Sequence, residues 1–253
     1  MRREPFVPNL DHMNAANNPV ALVTGASRGL GEALAGGLAR SGYALIVDAR
    51  DAAALNAAVA ALPAGAQVLA VPGDVTEPAH REALRRAAAE AGGLDLLVNN
   101  AGTLGASPLP PLADYPLAEL RASFEANVIA PVALIQHMLP WLRERGGAIL
   151  NITSDAAVEA YAGWGGYGAA KAALEQVSNV LAAEEHTVRT WWVDPGDLRT
   201  AMHQRAFLGE DISDRPLPDT VVPAFLRLIR ERLPSGRYRA ADLFPAGDAH
   251  VFA

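Results

Sequence analysis

The sequence predicts an α/β fold: one doubly wound, mostly parallel sheet of about seven strands with helices on both faces. Three observations predict it. Short apolar runs alternate with longer Ala-, Leu- and Arg-rich segments, and turn residues stand at the ends of the short runs. No internal linker divides the 253 residues, and 51% of them are hydrophobic, enough for a single large core.

The strands expected, in order, are VALVTG (20–25), YALIVDA (43–49), QVLAVPGD (67–74), LDLLVNN (94–100), GAILNIT (147–153) and TVRTWWVDPG (187–196). Each is short, rich in β-branched or aromatic residues and closed by turn residues. GRYRAADL (236–243) is a weaker seventh strand. The segments between them are longer and read as helices at 29–41, 51–61, 78–91, 117–144, 166–185 and 219–232. Trp191 and Trp192 fall inside a strand and are expected in the core. In such a sheet ligands bind at the carboxyl ends of the strands, so the motifs should gather there.

Composition narrows the function. A net charge of −7 lacks the clustered cations that phosphate backbones require, which argues against nucleic acid as a partner. The absence of cysteine excludes disulfides and thiolate metal sites, and is consistent with a reducing, cytoplasmic location. No metal site is expected. No uninterrupted apolar run has membrane-spanning length; VIAPVALIQHMLPWL is broken by Pro, Gln and His, so no membrane association is expected. Residues 1–18 are polar and rich in Pro and Asn, without the apolar core of a signal peptide, and are expected to be a disordered extension. Residues 19–253 are expected to form a single domain.

TGASRGLG, 24–31, stands where the first strand meets its helix. Gly25, Gly29 and Gly31 let the backbone turn tightly and approach a pyrophosphate, while the helix N-terminus offers free N–H groups and a favourable dipole. The spacing departs from the common dinucleotide fingerprint. By itself the stretch is equally an ordinary Gly-rich turn. NNAG, 99–102, follows the fourth strand; its small residues let a ribose lie across the strand end, though alone it too reads as a turn. Its weight comes from position, since the first and fourth strands flank the crevice where strand order reverses.

GGYGAAKAAL, 165–174, holds the chain's only lysine; the other members of the 21 Lys+Arg are all arginine. Tyr167 and Lys171 share a helix face, and Ser154 closes the fifth strand. A phenol with an ordinary pKa of about 10 is a poor base at pH 7 unless a cation stabilises its phenolate. Lys171 is placed to be that cation, and its compact ammonium suits ribose hydroxyls better than a planar guanidinium. The alternative is a surface lysine beside a core tyrosine.

With these motifs in this order, and with Pro195–Gly196 followed by Thr200, the chain resembles the short-chain dehydrogenase/reductase family from about residue 19 to the low 240s. The resemblance implies a Rossmann-type sheet and hydride transfer between a nicotinamide cofactor and a carbonyl or secondary alcohol. It also implies a catalytic tetrad: Ser154 holding the substrate oxygen, Tyr167 as general acid/base, Lys171 beside it, and Asn127 supporting a water that leads protons toward Lys171. Cofactor contacts would come from Gly25, Ser27, Arg28, Gly29, Leu30 and Gly31, from Arg50, and from Asn100, Ala101 and Gly102. Tyr167 and Lys171 add to these, with Asp74 and Val75 at the adenine and Pro195, Gly196, Leu198 and Thr200 around the nicotinamide. Asp74–Val75 could equally be a plain turn.

NADP(H) is expected over NAD(H). Counting from Gly42, the position of the family's NAD-type acid falls on Ala49, with Arg50 next; Asp48 is one residue early, and Arg28 adds a second cation. Residues 197–220, with Asp197 where the family is often apolar, would form a polar substrate lid. His203 within it reads as solvated, and Tyr161 and Trp164 as pocket wall or packing. The partner is a small-molecule alcohol or carbonyl. A homo-oligomer, dimer or tetramer, is expected through the helices near 117–140 and 167–185, on Val128, Leu134, Leu174 and Leu181. The alternative function is a nicotinamide-binding sensor or scaffold with little turnover, which has no need of Ser154, Tyr167 and Lys171 together. A Rossmann methyltransferase would leave the Tyr/Lys pair unexplained.

Overall fold

The computed structural model describes residues 18–244, so the extension expected over 1–18 lies, but for Asn18, outside the described residues. Seven strands form one parallel sheet in the order β3-β2-β1-β4-β5-β6-β7. They are β1 (Val20–Val23), β2 (Ala44–Ala49), β3 (Val68–Pro72), β4 (Leu96–Asn99), β5 (Ala148–Ile152), β6 (Arg189–Asp194) and β7 (Gly236–Arg239). The strand GRYRAADL expected at 236–243 is correct only in its first half; Ala240–Leu243 turn into a 3-10 helix.

The order reverses between β1 and β4, which pair in register from Ala21 with Leu96 to Val23 with Val98. β1, β2, β4 and β5 are buried along their whole length, as helices on both faces of a parallel sheet require. One face packs on α1 (Gly29–Arg40), α2 (Ala52–Ala60) and α8 (Val222–Glu231) through Leu34, Leu38, Leu55 and Phe225. The other packs on α3 (Pro78–Glu90) and α5 (Ala130–Arg145) through Leu84, Leu134, Met138 and Leu142. Each such side chain contributes roughly 1.5–3 kcal/mol. Trp191 and Trp192 are buried, as expected.

The single helix expected over 117–144 is three pieces: α4 (Leu117–Phe124), a π-helical turn (Glu125–Ile129) and α5. The wider turn holds Asn127 where its side-chain amide exchanges hydrogen bonds with the Thr103 backbone in both directions. Such turns gather at functional sites. The apolar residues expected to form an oligomer face also need correction: Val128, Leu134 and Leu174 are buried within their own chain, and Leu181 packs on the α3/α5 core. The large apolar side chains left exposed on these helices are Leu117, Ile129 and Val180.

Candidate active site

The Gly-rich loop, the end of NNAG and Ser154 lie beyond the carboxyl ends of β1, β4 and β5. After β1 the chain turns at Gly25 with φ +68°, and α1 opens without a side-chain cap on its first N–H groups. Thr24 and Asn100 stitch this loop to the end of β4. The Thr24 hydroxyl accepts from the Asn100 and Ala101 N–H groups at 3.0 Å, and Asn100 Nδ2 donates to the Thr24 carbonyl at 2.8 Å. A Cβ at Gly31 would lie 2.3 Å from the Gly25 carbonyl, so glycine there is required by close approach. Thr200 lies against Gly29, which brings the 195–200 stretch to the same loop.

The first Asn of NNAG has a different role. Asn99 donates to Asn151 Oδ1 at 2.8 Å, Asn151 to Ser178 and Ser178 to the Leu174 carbonyl, a buried chain tying β4 and β5 to α6 (Gly165–Glu184).

Tyr167 and Lys171 sit one turn apart on α6, both buried, with Lys171 Nζ 5.5 Å from the phenol ring centroid. The ammonium donates to the Ile152 carbonyl at 2.8 Å, at the end of β5. Burial pulls its pKa down to about 8. Burial also pushes the Tyr167 phenol up, helped by the charges of Asp194 and Asp155, while the Ser154 hydroxyl pulls the other way. Desolvation is the largest influence on both groups in this arrangement.

Ser154 follows β5 and opens a 3-10 turn; its hydroxyl accepts from the Ala156 N–H and donates to Asp155 Oδ1 at 2.8 Å. Asp155 also accepts from Tyr161 at 3.0 Å. Nothing in the sequence pattern singled out Asp155, although it adjoins the predicted serine. Asn127 is buried and bonded to Thr103 and Ser123, with its Oδ1 2.5 Å from where a Cβ at Gly102 would stand. Gly102 is thus the gap between Asn127 and Lys171.

A wall of apolar groups stands over Tyr167. Trp164 meets it edge-on at 5.8 Å and Phe207 lies 6.1 Å from Trp164. Leu104, Ala156, Met202 and Ala206 complete the cluster, the last two from α7 (Ala201–Ala206). The expected polar lid therefore presents an apolar side inward. Contrary to the expectation of a solvated side chain, His203 packs on Phe207 at 4.7 Å, its side chain 9% exposed, with burial lowering its pKa against the opposing charge of Asp197.

The family model for short chain dehydrogenase matches residues 19–211. The chain is a short-chain dehydrogenase. It is 38% identical over 176 residues to a rhamnolipids biosynthesis 3-oxoacyl-(acyl-carrier-protein) reductase of Pseudomonas aeruginosa, covering 65% of this chain and 66%, just under two thirds, of that protein. It is 36% identical over 183 residues to a serine 3-dehydrogenase of Rhizobium radiobacter, covering 71% and 72%. Among solved structures it is similar to a short chain dehydrogenase from Shigella flexneri complexed with NADP. That match has a TM-score of 0.83 and 28% identity, and covers 90% of this chain and 99% of that one. Family and fold together make this short-chain dehydrogenase a nicotinamide-dependent oxidoreductase.

The residues fit such a cofactor. A Cβ at Gly25 would stand 3.0 Å from Ala101 and one at Gly31 2.3 Å from the Gly25 carbonyl, and a Cβ at Gly102 would meet Asn127. Arg28 and Arg50 are exposed beside them. Asp74, next to buried Val75, stays ionised below its ordinary range: burial pushes it up, but bonds from Thr76 and the charges of Arg50 and His80 outweigh this.

Proposed function

We propose that the chain is an NADP(H)-dependent reductase of carbonyl compounds, and oxidant of the matching secondary alcohols, in which Tyr167 carries the proton. The observation that carries this reading is the convergence of Ser154, Tyr167 and Lys171 at the end of β5 beneath an apolar wall. When bound, the nicotinamide supplies the hydride or accepts it. The chain's own residues do the rest. Ser154 donates to the substrate oxygen once its hydroxyl turns from Asp155. Tyr167 gives its proton to that oxygen during reduction and removes it during oxidation. Lys171 and Asn127, on either side of Gly102, hold the nicotinamide ribose and a proton path. Trp164, Phe207 and Met202 exclude water and receive an apolar substituent.

Because burial keeps the phenol protonated, reduction is favoured at neutral pH, and alcohol oxidation should accelerate as pH rises. The NADP(H) preference is supported by the register of β2. Asp48 and Ala49 point to opposite faces of the sheet, and both Asp48 carboxylate oxygens already have partners, Gly25 and His80. The one carboxylate of β2 is thus not left for an adenosine 2′-hydroxyl, while Arg28 and Arg50 stand ready for a 2′-phosphate. Residues 197–220 act as the substrate lid of the single domain, and the chain assembles as a homo-oligomer.

The test follows absorbance at the reduced-nicotinamide band with a panel of ketones and alcohols, using NADPH and NADH in parallel. Turnover of arylalkyl or long-chain ketones with NADPH, lost in Tyr167→Phe by about a thousandfold with the circular dichroism spectrum unchanged, is expected. Tighter binding of NADH than NADPH would overturn the cofactor preference, and full activity of Tyr167→Phe would overturn the mechanism.

A further inference from the structure

We infer that His80 and Asp48 are a positioning pair for the cofactor, setting through their shared charge how tightly the Gly-rich loop holds its phosphates. The inference rests on the reading of 24–31 as the phosphate loop.

Asp48, the last residue but one of β2, has its side chain 1% exposed. Its Oδ1 accepts from the Gly25 N–H at 2.8 Å and its backbone carbonyl accepts from the Ala26 N–H at 2.8 Å. Its Oδ2 lies 3.0 Å from His80 Nε2, on the first turn of α3. The imidazole is buried and presses on Gly73, where a Cβ would fall 2.2 Å from its Nδ1. One buried contact therefore joins the ends of β1, β2 and β3, the three strand ends that carry the Gly-rich loop, Arg50 and Asp74–Val75. Hydride and proton transfer use neither group. What ties the pair to the cofactor is its attachment: the carboxylate grips the first glycine of the loop.

The electrostatic consequence follows from the two charge states. With an imidazolium on Asp48 the pair is neutral; with a neutral imidazole it leaves one negative charge beneath a loop that must face phosphates. The remaining charged groups around it are Arg28 on the loop, Arg50 after β2, Asp74 after β3, and Glu77 and Arg81 flanking His80. Asp74 acts against Asp48 and is itself offset by Arg50, and Arg81 donates to the Val75 and Thr76 carbonyls. Burial raises the Asp48 carboxyl while its bonds to His80 and Gly25 oppose this, so the proton that decides the charge beneath the loop is held between Asp48 and His80. Cofactor should bind more tightly when His80 is protonated, and by reciprocity bound cofactor should favour the protonated imidazole.

The experiment measures the Kd of NADP+ and of NAD+ by calorimetry from pH 5.5 to 8.5, for the wild type and His80→Gln. Glutamine keeps a donor toward Asp48 without a charge. The cofactor's 2′-phosphate titrates near pH 6 on its own, at about the value of other phosphate monoesters, and is present with both proteins, so the comparison between them isolates His80. The wild-type Kd is expected to rise with pH about fivefold more than that of His80→Gln, at the low end of coupling between sites. In the wild-type chain, the His80 imidazole resonance should also move its titration midpoint upward by about 0.7 on saturation with NADP+, the same factor read from the other side. This second measurement needs no variant and stands even if His80→Gln fails to fold. Tight binding with parallel pH profiles, or an unmoved midpoint, would overturn the inference alone. Failure to bind either cofactor would overturn the phosphate-loop reading with it.

Discussion

Lys171 shows what a single residue costs the fold and what it does in return. Its ammonium is buried with one hydrogen bond, to Ile152, and its pKa falls to about 8 from 10.5. A lysine depressed in the folded state destabilises the fold fully below pH 8, and the penalty fades as pH rises toward the unfolded value, because the unfolded chain binds the extra proton in that window. The penalty is about 3 kcal/mol at neutral pH. Lys171→Met should therefore stabilise the cofactor-free chain by roughly 2 kcal/mol at pH 7, allowing about 1 kcal/mol for the orphaned carbonyl, and lower turnover by at least about a hundredfold. Urea unfolding at pH 7 and pH 10 checks it: the gap between variant and wild type should narrow at the higher pH. The importance of Lys171 was legible in the sequence because it is alone and four residues after a tyrosine. The electrostatics were not. A phenol and an amine read as a charge pair on paper, and only burial reveals that desolvation dominates both. Asp155 was illegible for a related reason, since its role depends on a turn that folds it back onto Ser154.

At the scale of elements, the strands were read closely because a parallel sheet buried on both faces writes itself as continuous apolar runs. The junction of α4 and α5 was not, because no Gly or Pro falls within 117–130 to mark a break, and the π-helical turn depends on what Asn127 meets across space. The Gly-rich loop was legible as a loop, whereas its attachment to Asn100 and Asp48 was not. That attachment makes a prediction. In Gly31→Ala the added carbon would stand 2.3 Å from the Gly25 carbonyl and 2.4 Å from Asn100 Nδ2. The loop must shift, at a cost of about 1–3 kcal/mol. Cofactor affinity should fall more than tenfold by calorimetry, with a lower melting temperature and an unchanged far-ultraviolet spectrum. An unaltered Kd would show that 24–31 does not cradle the cofactor.

At the scale of the molecule, the proposed homo-oligomer would have to pair through Ile129, 48% exposed, and Val180, 44% exposed, which stand on the surface of the helices proposed to pair. Light scattering should give a dimer or tetramer at micromolar concentration, and Ile129→Glu with Val180→Glu should give a monomer that keeps its helical content. The distribution of lysine has a further consequence at this scale. A lysine-specific protease has one scissile bond in the entire sequence, after residue 171, and in the native fold that bond lies inside α6. The chain thus carries its own reporter of local opening: digestion should follow the fraction of time α6 stands open, and its opening rate at high protease, as one clean cut rather than a ladder. A ligand that holds the end of that helix shut would appear as protection from cleavage, without dye, label or assay of turnover.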